Sequence, residues 1–224
     1  MDDRLPAGGR ATDASLIDGD AVILSGGGST RMGTDKALVR IGGLTLIERA
    51  AAALGSIFSR VSVSIDPSRP YPSLRLPQIP DAVRGRGPIE GVRASLERLQ
   101  APVFFAAVDL ATSSGRPGWA GLARALWLEG AKPGRRGAVP RWAGGIEPAM
   151  ALYTPSLLPD ITHFVAGGRR SLRGLASLPG VTLLDLEEEG VRRAVFPEGA
   201  PPLAALFRNL NSPEDVRDLG EIPE

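Results

Sequence analysis

The stretch from Asp20 to Ile65 narrows the possible folds more than any other part of the chain. Ala21-Val22-Ile23-Leu24 is an uninterrupted apolar run between Asp20 and a cluster of glycines, the pattern of a short strand buried on both faces. A polar, glycine-rich segment, Ser25 to Lys36, follows it. Thr45-Leu46-Ile47-Glu48 then has capping-box form, with Thr at the N-cap and Glu three residues on. Leu46, Ile47, Ala50, Ala51 and Leu54 fall on one face of the helix this opens, and Gly55 marks its end. Val61-Ser62-Val63-Ser64-Ile65 alternates and is β-branched, so it is the next strand. Strand, helix and strand within about 45 residues make a βαβ unit, whose strands run parallel and whose crossover is right-handed.

Later segments repeat the alternation. Pro67 to Pro80 carries five prolines and no periodicity, so it is expected to be loop with one short strand near Leu76. Gly87-Pro88 opens a helix with Val92, Leu96 and Leu99 on one face, Pro88 suiting its first position. Val103 to Val108 is the most apolar strand and ends at Asp109; a helix bearing Trp119, Leu122, Ala123, Leu126 and Trp127 comes next. Residues 130–145 are expected to form a hairpin or loop, and Met150 to Tyr153 a strand. Thr154-Pro155 caps a helix buried through Leu157, Leu158, Ile161 and Val165. The pattern continues with a helix at Leu172–Leu178, strands at Val181–Leu184 and Leu203–Leu210, and a last helix from Ser212. The expectation is α/β: a single Rossmann-like three-layer domain over residues 19–220, with a mostly parallel central sheet and helices on both faces. Residues 1–18 are expected to be a tail.

Composition excludes several chemistries. The chain has no Cys, which removes disulfides, thiolate metal sites and cysteine nucleophiles. One His, His163, lies off the apolar stripe of its helix and is expected at the surface. Lys plus Arg number 26 against 25 Asp plus Glu, so no global field attracts nucleic acid or an anionic membrane, and an anionic ligand needs a local site. No apolar run approaches the ~18 residues of a membrane span, and the N-terminal segment lacks a signal-type apolar core. A soluble cytoplasmic protein is expected, with no nucleic acid and no membrane partner. The 28 glycines and 20 prolines are abundant but below the ~25–30% of low-complexity chains. Their placement therefore matters more than their number.

Ser25-Gly26-Gly27-Gly28-Ser29-Thr30-Arg31-Met32-Gly33-Thr34-Asp35-Lys36 follows the first strand, at the sheet end where open parallel sheets bind ligands. Glycines let backbone N–H groups approach phosphate oxygens, and Arg31 and Lys36 add two cations suited to a polyphosphate. Two familiar phosphate motifs do not fit. Gly28 and Gly33 have the spacing of the Walker pattern, but Thr34-Asp35 stand where Lys and Ser or Thr belong. The dinucleotide fingerprint G-x-G-x-x-G is also absent at Gly26-Gly27-Gly28.

Leu24 to Lys36 resembles the L-x-G-G-x-S-x-R-M-G-x-D-K signature of the molybdenum cofactor guanylyltransferases, the MobA-type branch of the Rossmann-like nucleotidyltransferases. Other segments follow in that family's order. Asp81 precedes Gly87-Pro88-Ile89-Glu90-Gly91, similar to the family's G-P-L-x-G helix start. Asp109 ends a buried strand, Glu147-Pro148 precedes Met150-Ala151-Leu152-Tyr153, and Gly168-Arg169-Arg170 resembles the G-x-R-R turn. Asn209-Leu210-Asn211-Ser212-Pro213-Glu214-Asp215 resembles the N-x-N-T-P-E-D terminus, so the likeness spans roughly residues 20 to 219. Departures are Ser64 where Asn is common, Ser25 where Ala is common, and Asp109-Leu110-Ala111 in place of D-x-P.

The resemblance implies Mg²⁺-dependent transfer of GMP from GTP to the phosphate of a molybdopterin-type acceptor, with pyrophosphate released. It implies a nucleotide site of Leu24, Ser25, Gly26, Gly27, Gly28, Lys36, Ser64, Asp81, Gly87 and Asp109. Arg31, Lys36 and Asp109 would be the catalytic residues, with Asp109 the Mg²⁺ ligand. Arg169, Arg170, Asn209 and Asn211 would face the acceptor, the arginine forks matching its phosphate. Transient contact with a molybdoenzyme chaperone or cofactor-insertion protein also follows. The alternatives are a cytidylyltransferase for the same pterin, a transferase for another phosphorylated small molecule, or a non-catalytic nucleotide-binding protein. Plainer roles are open to single residues: Asp109 as a turn former, Asp81 as a loop residue, Arg169 and Arg170 as an exposed basic turn, and Asn209 and Asn211 as strand-end residues. Trp119 and Trp127 share a helix face and are expected in the core.

Overall fold

The computed structural model describes residues 16–25, 35–111 and 118–208. In chain order the elements begin with β1 (Ile17–Leu24), a small antiparallel hairpin of β2 (Arg40–Ile41) and β3 (Leu44–Thr45), and α1 (Leu46–Gly55). They continue with β4 (Phe58–Ile65), β5 (Gln78–Pro80), α2 (Pro88–Leu99), β6 (Val103–Ala107) and α3 (Val108–Ala111). The second half contains α4 (Trp119–Gly130), β7 (Gly137–Trp142), β8 (Gly145–Ile146), β9 (Met150–Tyr153) and α5 (Leu158–Ala166). β10 (Val181–Asp185), α6 (Glu189–Val195) and α7 (Leu203–Leu206) complete it.

β1 lies between β4 and β6 and runs parallel to both, with Leu24 level with Ser64 on one side and Ala107 on the other. The strand order is β10-β7-β9-β6-β1-β4-β5, with β8 paired to β7. β9 is antiparallel to both neighbours, and β5 and β10 run parallel to theirs. The chain builds outward from β1 through β4 to β5, then returns to place β6 on the other side. That reversal opens a crevice at the carboxyl ends of β1, β4 and β6, where doubly wound sheets hold ligands.

Period-two alternation divides the buried side chains of the sheet between two cores. Ala21 and Ile23 of β1, Val63 of β4 and Phe104 of β6 face a core closed by α1, α3 and α4. Val22, Leu24, Val103 and Phe105 face a second core closed by α2 and α5. Phe58 stacks on Phe104 at 5.0 Å between centroids and meets Trp127 edge-on, while Trp119 meets Phe104 edge-on. Both tryptophans are thus core residues, and three layers result. No described helix is long and apolar enough to cross a membrane.

Several boundaries differ from the sequence reading. β1 already includes Ile17 and Asp18, assigned above to the tail, because Ile17 N–H donates to Ile57 O at 2.7 Å. β6 ends at Ala107, so Asp109 sits not on the strand but in the first turn of α3. The short strand in the proline-rich loop is Gln78–Pro80, two residues beyond Leu76, where Ile79 finds a pocket in the second core. Of the two forms expected for residues 130–145, the structure has the hairpin, β7 with β8; what was not foreseen is that β7 is also a strand of the main sheet, with Ala138 and Val139 fully buried. Thr154 gives no side-chain cap; its hydroxyl donates to Arg136 O. Leu172–Ser177 is a 3₁₀ helix, and Leu203–Leu206 is helical, not extended. In the latter, Leu203, Leu206 and Phe207 have helical spacing and all are buried, Phe207 stacking on Trp142. α6 had no counterpart in the sequence reading, and the expected helix from Ser212 lies outside the described residues.

The capping box is complete: Thr45 Oγ1 accepts from Glu48 N at 3.3 Å, and Glu48 Oε2 accepts from Thr45 N at 2.7 Å. Thr45→Ala should destabilise the protein by about 1 kcal/mol, seen as a lower urea midpoint with unchanged slope.

Candidate active site

At the crevice, Lys36 and Asp109 meet. Lys36 Nζ donates to Asp109 Oδ2 at 2.7 Å, and their side chains are 16% and 14% exposed. Local sequence explains both positions. Asp35 is the N-cap of a 3₁₀ turn over Lys36–Leu38, its Oδ1 accepting from Ala37 N at 3.0 Å, and this fixes Lys36 at the turn's start. Asp109 is held by the α3 turn, whose flanking Val108 and Leu110 are buried in the first core.

A hydrogen-bonded chain runs across the same crevice. The Tyr71 hydroxyl donates to Asp35 Oδ2 at 3.0 Å and lies within hydrogen-bonding reach of Ser25. Ser25 Oγ donates to Ser64 O at 2.6 Å, and Ser64 Oγ donates to Asp81 Oδ1 at 3.2 Å. Burial pushes the Tyr71 hydroxyl up to about 12, so it stays a donor. Burial is also the main cause that pushes Asp81 up to about 6; Ser64 opposes it, and the negative charges of Glu90 and Asp66 add to it. Gly91 of α2 has to be glycine, since a Cβ there would lie 2.4 Å from Ser64 Oγ and 3.2 Å from Leu24 Cδ2. Gly87, at φ 75°, starts α2 in a conformation that favours glycine, and a Cβ on it would lie 3.0 Å from Arg170 O.

On the β9 side, Ala107 N donates to Ala149 O at 2.8 Å, which brings the Glu147–Ala149 turn beside the end of β6. Glu147 is thereby within electrostatic reach of Asp109. Burial first, and then the charge of Asp109, hold the Glu147 carboxyl above its ordinary value, while Ala149 N–H and Arg173 oppose this. A cleft of about 380 Å³ opens from here, with Pro88, Glu147, Arg170, Ser171 and Arg173 in its walls.

The structure thus brings Leu24, Ser25, Lys36, Ser64, Asp81, Gly87 and Asp109 to one end of the sheet and Arg170 to the adjoining cleft. Arg169 is elsewhere: its guanidinium lies 4.2 Å from the Phe164 ring centre, a cation–π contact, and it does not line the cleft. His163 is exposed as expected. Gly26, Gly27, Gly28, Arg31, Asn209 and Asn211 lie outside the described residues. Sequence reasoning gave no site role to Tyr71, Glu147 or Arg173. Glu147 had a signal in its motif, whereas Tyr71 was hidden in the proline-rich loop.

The oxygen-only donors suit a hard divalent cation. Asp109 already holds one cation, the Lys36 ammonium, and Glu147 is a second carboxylate nearby. Among the described residues no three metal-ligating side chains cluster.

A family model described as a MobA-like NTP transferase domain matches residues 21–180. A molybdenum cofactor guanylyltransferase from Cereibacter sphaeroides is 33% identical over 202 residues, covering 87% of this chain and 92% of the relative. A probable molybdenum cofactor guanylyltransferase from Mycobacterium avium is 29% identical over 206 residues, covering 89% and 94%. The molybdopterin-guanine dinucleotide biosynthesis protein A structure from Archaeoglobus fulgidus superposes with a TM-score of 0.72 at 23% identity, covering 90% of this chain and 97% of that one.

The raised Asp81 pKa has a definite sign in stability. The unfolded carboxyl ionises near 3.8 and the folded one near 6, so the folded state binds the extra proton between these values and loses stability as pH rises through them. Asp81→Asn should gain stability relative to wild type between about pH 4 and about pH 7, checked by urea unfolding across that range; a parallel pair of curves would contradict the assignment.

Proposed function

Because the chain belongs to the MobA-like NTP transferase family, we propose that it transfers the GMP unit of GTP to the terminal phosphate of a molybdenum–molybdopterin acceptor. An oxygen of the acceptor phosphate attacks the α-phosphorus, the bond from that phosphorus to the bridging oxygen breaks, and pyrophosphate leaves. One observation carries this reading: an ammonium and a carboxylate, Lys36 and Asp109, paired at 2.7 Å where the ends of β1, β4 and β6 converge. A triphosphate entering there would meet the Lys36 charge, and Asp109 would be the carboxylate available to a metal ion.

Each residue's work is electrostatic or positional, since such a transfer needs charge neutralisation and alignment and no covalent step on the protein. Lys36 donates to phosphate oxygens. The glycine-rich loop motif assigns Gly26 to Gly28 and Arg31 to the same triphosphate. Asp109, with Glu147 nearby, would hold Mg²⁺, which when bound supplies positive charge against the phosphate oxygens. The Ser64–Asp81 pair and Gly87 face the nucleoside end of the crevice. Arg170 and Arg173 are available to the acceptor phosphate from the cleft wall, the fork geometry of each suiting that anion. This revises the acceptor side: Arg173 takes the place first given to Arg169. Hand-over of the finished cofactor to a molybdoenzyme chaperone is part of the same proposal.

Pyrophosphate release, followed with GTP, CTP, ATP and UTP in the presence of Mg²⁺ and the pterin phosphate, tests the reading. Release should depend on the acceptor and favour GTP. A CTP preference would make it a cytidylyltransferase, and tight nucleotide binding with no release would make it a non-catalytic binder. Asp109→Asn and Lys36→Met should each lower kcat/KM by about 100-fold or more while leaving the thermal midpoint within a few degrees. Arg170→Ala and Arg173→Ala should raise the acceptor KM by about tenfold; Arg169→Ala should leave it unchanged.

A further inference from the structure

Between Asp81 and Gly87 the chain leaves β5 and turns into α2 without regular structure, yet it carries two of the residues assigned to the nucleotide. Its first residue is tied to β4, Asp81 N donating to Ile65 O at 2.9 Å. The next two are tied to a side chain from the helix that follows. Glu90, fully buried in the first turn of α2, accepts Ala82 N and Val83 N on Oε1, each at 3.1 Å. Arg93, one helical turn on, closes over the same carboxylate with two donors: Nη2 reaches Oε1 at 2.7 Å and Nε reaches Oε2 at 2.8 Å. Glu97 pairs with the outer edge of Arg93 and keeps that guanidinium in place.

The geometry points to Glu90, locked by Arg93, as a positioning residue that holds the Asp81–Gly87 loop in its nucleotide-receiving shape. This deepens the proposed nucleotidyl transfer and rests on it. Burial disfavours a charged Glu90, but the Arg93 guanidinium and the amides of Val83 and Ala82 outweigh burial and keep it ionised. A carboxylate is unusual in this place: the chain has removed it fully from water and used all its bonds on one loop and one guanidinium. An apolar residue would have filled the helix face as well, but it leaves the Ala82 and Val83 amides without an acceptor. The arrangement also explains why the loop needs no helix or strand of its own. Two backbone amides next to Asp81 are bonded to a rigid helix, so the Asp81 carboxyl is held opposite Ser64. Glu90 holds the loop through its bonds to Ala82 and Val83, and its charge also reaches Asp81.

The test compares wild type, Glu90→Gln, Glu90→Ala and Arg93→Met in three measurements: GTP affinity by calorimetry, steady-state KM for GTP and for the acceptor, and hydrogen exchange at Ala82 and Val83. Glu90→Ala should raise the GTP Kd and KM by about tenfold and speed exchange at both amides. Its acceptor KM and kcat should stay within about twofold. Glu90→Gln, which keeps an oxygen for the two amides, should recover most of the affinity, and Arg93→Met should fall between. If Glu90→Ala fails to fold, the Gln and Met variants decide: GTP affinity must track amide protection across them. Variants that lose thermal stability and amide protection with unaltered GTP affinity would overturn the inference and leave Glu90 a stabilising residue only. Wild-type protein that binds no nucleoside triphosphate would instead overturn the functional reading, while exchange at Ala82 and Val83 would still answer whether Glu90 holds the loop.

Discussion

The ion pair between Lys36 and Asp109 joins parts of the chain that lie 73 residues apart and sits where the sheet reverses its winding. It depends on β1 lying between β4 and β6, because only then do the residues after β1 and those after β6 reach the same crevice. Both cores serve that placement. The alternation of Ala21 and Ile23 to one face and Val22 and Leu24 to the other locks the register of β1. The α3 turn, seated by Val108 and Leu110, aims Asp109 at Lys36. A pair with both side chains mostly withdrawn from water costs desolvation that its mutual attraction has to offset. In the function proposed above, the carboxylate holds the ammonium until phosphate oxygens compete for it.

Around that pair the site divides by chemistry. Ser25, Ser64 and Asp81 present two hydroxyls and one carboxyl, groups that make directional hydrogen bonds. Glu147, Arg170 and Arg173 make a charged cleft on the β9 side. The antiparallel run of β9 against β6 is what places the cleft beside Asp109, since the start of β9 then adjoins the end of β6.

Much of this was legible in the sequence because it depends on local rules. The β1–α1–β4 unit followed from periodicity and the Thr45–Glu48 box; the glycine-rich motif pointed to Ser25 and Lys36, and the family resemblance to Ser64, Asp81, Gly87 and Asp109, which the fold brings to one end of the sheet. What the sequence concealed depends on distant contacts. The 137–142 strand has a Gly-, Pro- and Arg-rich neighbourhood that locally signals a hairpin or loop, and only its pairing with β9 and β10 makes it part of the main sheet. Leu203–Leu206 took a strand-like apolar run into a helix because Phe207 had Trp142 to stack on. Arg169 and Arg170 are adjacent in sequence and look equivalent, but Phe164 captures the first while the second lines the cleft. Tyr71 could be found only once the loop that carries it was folded back on Asp35.

In the proposed transfer, Lys36 and Asp109 exchange one another for the phosphates and metal of a nucleotide. A crystal structure of the protein with GTP and Mn²⁺, the metal located by its anomalous signal, tests it most directly. Mn²⁺ should be bound by an Asp109 carboxylate oxygen, with Lys36 Nζ moved onto a phosphate oxygen. An intact Lys36–Asp109 ion pair, with nucleotide and metal bound elsewhere on the sheet, would contradict it.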